Sequence, residues 1–568
     1  MFGEAIGTVD VSQMVTSLVH RGPDHQAVEE GPGAVLGHTR LRVLDLTAAA
    51  DQPYTSSDGR FVGVFNGEVY NYRELRTELG AVAGRTTSDT EVVISAYQKW
   101  GPDCLDRFIG MFAFIIWDRV ERTAFFARDR FGVKPLYLVE PSAGGLVAAS
   151  EIAAFHAVGI GKSPDLDAWA TYLATGRSDF EERTFWRSVR PLPAGSAGLW
   201  KHGRLRTWSW YDPVERATES DDQRPRADVA SEVEALLRDT VRLRFRSDVP
   251  AGICLSGGLD SSTLLSLVHA VRGADDDVTA FTFTTGDPDY DELPWVRRLL
   301  DHTNHELIEC QLRAEQVPQL AASVHRHVLE PYGGVPTLAY AQLFEHAKIN
   351  GVTVLLDGQG LDEAFAGYDY FRSVTVDPRS VQGSVDPPFR PEVLSMDALR
   401  TVEAADGLPP ARSRRTAMQL RDLTMTKLPR ALRFNDRISM RSSRELREPF
   451  LDHRLIELGL AQPDSNLMDD NRGKLIIRDV VRRLVPGDIV QAPKRPVQTP
   501  QREWIRGPLR PWVIEQVNAG LEGPVGCVLA PERARDQLRR FLDGHGDNSF
   551  FVWQLVSAGL LATAGDAS

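Results

Sequence analysis

Two hydrophobic patterns that no single layered core can serve share this chain, and their succession constrains its fold more than any other feature. Up to about residue 210, short β-type runs are broken by Gly, Pro and Asp. Examples are Phe61-Val62-Gly63-Val64-Phe65, Gly110-Met111-Phe112-Ala113-Phe114-Ile115-Ile116-Trp117 and Gly145-Leu146-Val147-Ala148-Ala149. Runs at this spacing predict an α+β unit of stacked antiparallel sheets with a few helices, such as Asp89 to Trp100. The polar stretch Arg216 to Asp228 has no apolar periodicity and reads as a linker. Beyond it the order becomes strand, glycine turn, helix: Ile253-Cys254-Leu255 leads into Ser256-Gly257-Gly258 and an apolar helix from Ser262 to Ala270. Val278 to Thr284 and Val352 to Leu356 add strands, so an α/β unit with a parallel sheet is expected, binding ligands beyond its strands' carboxyl ends. From about residue 410 the chain reads as mostly helical, and residues 373 to 410 read as a loop excursion. The expected units are 1–212 and 229–568, joined by 213–228. At roughly 150 residues per domain, a chain of 568 is long enough for two to four.

Bulk chemistry narrows the function classes. The net charge of -13 argues against a nucleic-acid surface, which needs a basic face. No apolar run reaches the ~18 residues of a membrane span, and MFGEAIGTVD lacks the pattern of a secretory signal. Cys104, Cys254, Cys310 and Cys527 form no CxxC pair, so neither a zinc site nor a disulfide framework is expected. A cytoplasmic protein is the reading these features support.

The sharpest local signal is Ser256-Gly257-Gly258-Leu259-Asp260-Ser261-Ser262, between a buried strand and a helix. Glycines let backbone approach phosphate closely, and a helix N-terminus supplies positive potential. Ser256, Ser261 and Ser262 add hydroxyl donors. Asp260 would repel bare phosphate, so its place in the loop calls for a cation, and Mg²⁺ uses carboxylate and phosphate oxygens together. A second acidic turn, Asp357-Gly358-Gln359-Gly360-Leu361-Asp362-Glu363, follows the third strand, and Asp362 can complete that metal site. The alternative for the first loop is an ordinary tight turn.

This loop resembles the pyrophosphate-binding loop of the N-type ATP pyrophosphatases. Its continuation resembles the synthetase half of the glutamine-dependent asparagine synthetases, through Tyr290-Asp291-Glu292, Gly360-Leu361-Asp362-Glu363, Ala366-Gly367-Tyr368, Asp436-Arg437-Ile438-Ser439-Met440 and Arg447-Glu448-Pro449-Phe450-Leu451-Asp452. The resemblance implies an adenine-nucleotide α-hydrolase-like fold that uses ATP and Mg²⁺. Backbone at Cys254, Phe283 and Gly358 would hold the nucleoside, Asp260 and Asp362 would bind Mg²⁺ and pyrophosphate, and Lys494 would stabilise the adenylate. Read alone, Lys494 is a surface lysine, and Lys474 with Arg478 is as consistent with an exposed charged helix face as with phosphate contact.

The first half resembles the class II glutamine amidotransferase domain of the same enzymes, an Ntn-hydrolase-like fold. The match runs through His20-Arg21-Gly22-Pro23-Asp24, Arg40-Leu41, Phe65-Asn66-Gly67-Glu68, Thr87-Ser88-Asp89 and Arg128-Asp129-Arg130-Phe131-Gly132. It implies that Arg40 holds a glutamine α-carboxylate, Asp89 its α-ammonium, and Asn66 with the Gly67 N–H an oxyanion, with Glu68 alongside. Read alone, Asn66-Gly67 is a hairpin turn and Arg40 with Asp89 an ion pair.

Two departures matter. Phe2 stands where the family has its nucleophilic cysteine, and phenylalanine has no atom to attack an amide. Natural loss, as in the β-lactam synthetases, a substitution, or a misassigned start all account for it. Gln359 stands where the asparagine synthetases carry a Glu and the β-lactam synthetases a Tyr. An amide orients an amine but takes no proton, which leaves Glu330 and Glu363 as candidate acceptors. The segment Glu330-Pro331-Tyr332-Gly333-Gly334-Val335-Pro336 also lacks the Asp and Ser expected for aspartate binding.

The leading expectation is an ATP-dependent ligase that joins an amine donor to a small-molecule carboxylate, with the glutaminase half inactive as written. The alternatives are a specialised amidotransferase or lactam synthetase acting on a natural-product or sugar acid, and a non-catalytic regulator that binds adenylate or glutamine. The sequence leaves the assembly, monomer or homodimer, open.

Overall fold

The computed structural model describes the chain except residues 4–6, 8, 81–82, 143, 181, 274–276, 373–387, 404–406, 495–497 and 565–568. In the first half, β1 (His25–Gly31) and β2 (Ala34–Arg40) pair as an antiparallel ribbon. A six-stranded antiparallel sheet contains β3 (Tyr54–Thr55), β4 (Phe61–Val69), β5 (Gly110–Asp118), β6 (Thr123–Arg128), and the later β10 (Ser196–Lys201) and β11 (Arg204–Ser209), in the order β11-β10-β6-β5-β4-β3. Between them, β7 (Tyr137–Val139), β8 (Val147–Ala149) and β9 (Arg190–Pro191) form a three-stranded sheet.

Strand β5 shows why this half is layered. Its side chains alternate between faces, so Phe112, Phe114 and Ile116 pack with Val92, Val93 and Ala96 of the Asp89–Trp100 helix. Ala113, Ile115 and Trp117 pack on the opposite side with Leu136 and Leu138 of the small sheet region. Both faces are covered, and β5 is apolar from Gly110 to Trp117, ending on Asp118. Edge strand β11, by contrast, carries exposed Arg204, Arg206 and Thr207, the polar edge that discourages further strand pairing.

The second half holds five parallel strands: β12 (Ala251–Cys254), β13 (Thr279–Thr284), β14 (Leu307–Gln311), β15 (Val354–Leu356) and β16 (Glu445–Arg447), in the order β14-β13-β12-β15-β16. Successive strands after β12 run outward one way, whereas β15 joins on its other side. The order therefore reverses between β12 and β15, the place where such sheets open a ligand crevice. The Leu259–Arg272 helix follows β12, and helices dominate beyond residue 410.

Several sequence expectations need correction. The presumed linker is largely helical: Asp212 caps Pro213–Glu219, whose proline is pre-set for a first turn, and Arg226–Arg244 follows. Buried Ala217, Val229 and Val233 anchor these helices, which the polar composition concealed. Strands β14 and β16 were not anticipated, because LIECQ and ELR are short and mixed in polarity. Of the expected excursion over 373 to 410, residues 373–387 and 404–406 lie outside the described residues, and Met396–Thr401 is a helix. No helix among the described residues is long and apolar enough to cross a membrane.

The two halves meet through buried charges. Arg21 donates to Glu151 at 2.7 Å and to Asp436 at 2.9 Å, and Lys134 reaches Asp436 at 3.1 Å. Glu330 accepts from Arg437 and, at 3.2 Å, from the Phe185 amide. Such pairs add little or no net stability relative to apolar packing, yet removing one partner is costly, so they define how the halves dock.

Candidate active site

At the sheet's reversal point, residues far apart in sequence converge. Gly257 has φ +71°, and a Cβ there would lie 2.8 Å from Trp295 Cβ, so glycine is required on both counts. Gly258 is the N-cap of the following helix and offers no side-chain acceptor, which leaves the first-turn N–H groups available to an anion. The Ser256 and Ser261 hydroxyls bond each other at 3.1 Å. The Ser262 hydroxyl is buried without a hydrogen-bond partner. Cys254 ends β12, buried, and Phe283 lies on β13 with its ring 5.8 Å from Tyr340.

The second acidic turn packs against this loop. A Cβ on Gly358 would lie 3.2 Å from the Asp260 carbonyl carbon. Asp357 accepts the Gly358 N–H at 2.7 Å, and burial raises its carboxyl to about 6 against the pull of that N–H and of the Gln359 side chain. Lys474 Nζ lies 2.6 Å from Asp260 and 2.5 Å from Asp362, and Lys494 forms a further ion pair with Asp362. Burial pushes Asp260 up despite Lys474, whereas at Asp362 the two lysines overcome burial and hold the carboxyl far below its usual range. Lys494 itself is raised, because the charges of Asp362 and Asp260 outweigh its burial. Two carboxylates gripping one ammonium are spaced to share one small cation. That is the donor set a Mg·nucleotide needs, since Mg²⁺ commonly takes one or two carboxylates plus phosphate oxygens.

Neighbouring residues hold this cluster in place. Gly367 lies against it so closely that a Cβ would fall 1.9 Å from Asp362 Oδ1 and 2.2 Å from Lys474 Cε. Arg478 donates to the carbonyls of Gly473 (2.9 Å) and Ala492 (3.3 Å), bracing the approach to Lys494 instead of facing solvent. The residues flanking Lys494 at 495–497 lie outside the described residues. Glu363 accepts from Tyr368 OH at 2.6 Å, and burial, then Asp362, raise its carboxyl to about 7. Tyr368, which the sequence marks only as part of Ala366-Gly367-Tyr368 and with no role of its own, has its ring 5.5 Å from Lys494 Nζ. Glu330 is elsewhere, committed to Arg437 and Arg433, which pull its carboxyl down in spite of burial.

A 120 Å³ cavity in the first half gathers Arg40, Asn66, Gly67, Glu68 and Asp89. Asn66 and Gly67 lie inside β4, opposite Ala113 and Phe112, not in a hairpin turn. Gly67 has φ +137°, and a Cβ would sit 2.0 Å from the Met111 carbonyl. Asn66 Nδ2 and Glu68 Oε2 are buried without hydrogen-bond partners. Burial raises Glu68, and it lifts Asp89 to about 6. Arg40 departs from expectation: its fork already holds Asp51 (2.6 Å) and the carbonyls of Thr47 (2.8 Å) and Leu44 (3.0 Å). A ligand carboxylate there has to compete with Asp51. Met440 and Glu445 from the second half close the cavity, which no local motif could show. Phe2 is fully buried, with its ring 5.6 Å from Trp117, 5.5 Å from Phe126 and 5.9 Å from Trp200.

Comparison with known proteins agrees with this layout. Residues 4–211 match the glutamine amidotransferase domain family and residues 232–564 match the asparagine synthase family. A Mycobacterium tuberculosis protein provisionally named a glutamine-hydrolyzing asparagine synthetase is 30% identical, over 94% of this chain and 91% of its own length. Asparagine synthetase 3 (glutamine-hydrolyzing) of Bacillus subtilis is 27% identical over 96% and 92%, and the amidase chyE of Penicillium rubens is 27% identical over 86% and 84%. With an antiparallel amidotransferase half, a parallel-sheet synthetase half and matches spanning both, the chain belongs to the glutamine-dependent asparagine synthetase family of amidotransferases.

Proposed function

We propose that the protein is an ATP-dependent, amide-forming ligase. A carboxylate oxygen of the acceptor attacks the α-phosphorus of ATP, forming an acyl-adenylate and releasing pyrophosphate. An amine then attacks the acyl carbon, AMP leaves, and the amide forms. The observation that carries this reading is the convergence of the Ser256–Ser262 loop with Asp260, Asp362, Lys474 and Lys494 at the sheet's reversal point. Loop N–H groups and Ser256 and Ser261 hold phosphate, while backbone at Cys254, Phe283 and Gly358 borders the nucleoside. Asp260 and Asp362 would hold Mg²⁺, which would supply charge neutralisation on the pyrophosphate, and Lys474 beside them is placed to donate to phosphate oxygens. Lys494 faces the charge that develops on the adenylate; a fixed cation in a desolvated site contributes several kcal/mol there. Gln359 has no basic atom and orients the amine, leaving Glu363 as the neighbouring carboxylate to receive its proton.

We assign residues 1–212 to an amidotransferase-like unit that cannot hydrolyse glutamine by a thiol route, because Phe2 replaces the nucleophile. The acceptor is aspartate or a specialised sugar or natural-product acid. Pyrophosphate release from Mg·ATP, screened over a panel of acids with and without ammonium, tests the proposal. Release that depends on one acid supports adenylation and identifies the acceptor. ATP binding with no release for any acid favours a regulator.

A further inference from the structure

Arg447, on β16, is fully buried, and its main chain and side chain serve different places. Its carbonyl accepts the Asp357 N–H at 2.9 Å, pinning the start of the acidic turn. The next residue, Gly358, packs directly on Asp260 and Ser261 of the nucleotide loop. The guanidinium points away from that loop. Nε donates to Glu445 at 2.8 Å, Nη1 donates to the carbonyls of Arg244 at 2.7 Å and Arg246 at 2.9 Å, and Nη2 stands 3.2 Å from Glu68. Both Glu445 and Glu68 line the first-half cavity. One side chain and one carbonyl thus connect the two candidate sites.

The Arg447–Glu68 contact is an unfinished one. Arg447 Nη2 stands in ion-pair range of Glu68 Oε1 without an aligned hydrogen bond, and the other carboxylate oxygen, Oε2, is buried without a hydrogen-bond partner. Buried polar atoms are nearly always satisfied, so Oε2 is an acceptor left open for a ligand's donor while Oε1 faces Arg447. Glu68 is also pressed by the like charge of Asp89. A ligand that brings an ammonium or amide N–H to Glu68 and Asp89 changes both restraints at once.

We propose that Arg447 is a positioning residue that couples the first-half cavity to the nucleotide loop. An ammonium- or amide-bearing ligand at Glu68 re-aims the guanidinium. The short β16–β15 pairing passes that change to Asp357 and Gly358 and so to the loop. Linkage makes the effect reciprocal, with the nucleotide altering affinity in the cavity. The inference rests on the ATP reading of the Ser256–Ser262 loop.

The test measures the Mg·ATP dissociation constant of the full chain by calorimetry for wild type, Glu68→Gln, Arg447→Lys and the double variant. Amide hydrogen exchange at residues 357–359 is followed in parallel. Glu68→Gln, a substitution outside the nucleotide site, is expected to shift the dissociation constant at least threefold and to speed exchange at Asp357 and Gly358. In the Arg447→Lys background the same substitution is expected to add nothing. Equal shifts in both backgrounds, or no change in either affinity or exchange, overturn the coupling. Should Arg447→Lys not fold, the exchange measurement on Glu68→Gln alone decides. Wild-type protein that binds no ATP overturns the nucleotide reading, and exchange at residues 357–359 still reports on the bridge separately.

Discussion

Lys474 and Asp260 stand 214 positions apart, yet Lys474 Nζ donates to both Asp260 oxygens at 2.6 and 2.7 Å. The same ammonium reaches Asp362, so it acts as the counter-cation of one buried and one half-buried carboxylate. Lys474→Met removes that cation, and stranding buried charge costs about 3–5 kcal/mol. The variant's melting temperature is expected to fall and to recover with millimolar Mg²⁺ by more than the wild type gains. Calorimetry with and without Mg²⁺ measures this, and an identical Mg²⁺ response in both proteins would remove the carboxylates from the metal site.

The role proposed for Lys494 is a separate one, at the reacting centre. Lys494→Met is expected to lower acid-dependent pyrophosphate release about 10²–10³-fold, the usual loss when a group that stabilises transition-state charge is deleted. The dissociation constant of ATP should change much less. Single-turnover kinetics with calorimetric ATP binding separates the two effects; unchanged turnover would place Lys494 outside the chemistry.

Gly367→Ala tests the packing around the charge cluster. The added methyl would lie 1.9 Å from Asp362 Oδ1, 2.2 Å from Lys474 Cε and 2.9 Å from Asp362 Cα, and no rotamer change relieves the last. Activity is expected to fall at least tenfold. Gly507→Ala, whose Cβ would meet only the Glu503 carbonyl at 3.1 Å, serves as a remote comparison expected to keep turnover.

The seam between the halves predicts a pH dependence. Burial pushes the Glu151 carboxyl up, and His20 and Arg21 together pull it down further, from 4.5 to about 2. A folded value below the unfolded one gives stability that is complete above about 4.5 and lost as pH falls towards 2. At 1.36 kcal/mol per pH unit of difference, this contributes on the order of 3 kcal/mol. The stability gap between wild type and Glu151→Gln should therefore be constant from pH 5 to 7 and shrink below 4.5. A gap that widens on acidification would contradict the assignment.

Phe2→Cys restores the residue type that glutamine chemistry needs, but in an aromatic core. The substitution is expected to cost about 2–4 kcal/mol through the cavity it leaves, and apolar surroundings raise a thiol's pKa. Little glutaminase activity should appear, and denaturant titration should show the loss of stability. Robust glutamine hydrolysis would show that residue 2 turns towards the Asn66 cavity.

Much of this was legible because chemistry imposed it locally. The unbroken apolar runs Phe61–Phe65 and Gly110–Trp117 specified strands covered on both faces, and the helix expected over Asp89–Trp100 forms with Ser88 as its cap. The loop Ser256–Ser262 was readable from its glycines, since Gly257 adopts a conformation that other residues resist. The helices at Pro213 and Arg226 were not readable, because their stabilisation comes from apolar faces buried against partners distant in sequence. The ion pair that Arg40 makes in the folded protein was unreadable for a related reason. Its guanidinium chemistry predicts a bidentate partner but not which one, and folding supplies Asp51.

The sequence by itself determined the two-part organisation, the parallel sheet and the residue types at each candidate site, because backbone propensity, glycine geometry and side-chain chemistry act over a few residues. Only the tertiary structure decided that Lys474 bridges Asp260 and Asp362, that Arg447 reaches Glu68, and that Phe2 packs among Trp117, Phe126 and Trp200. Those contacts join residues separated by one hundred to several hundred positions. A buried charge takes whichever partner close packing brings within hydrogen-bond reach, and no local pattern encodes that distance.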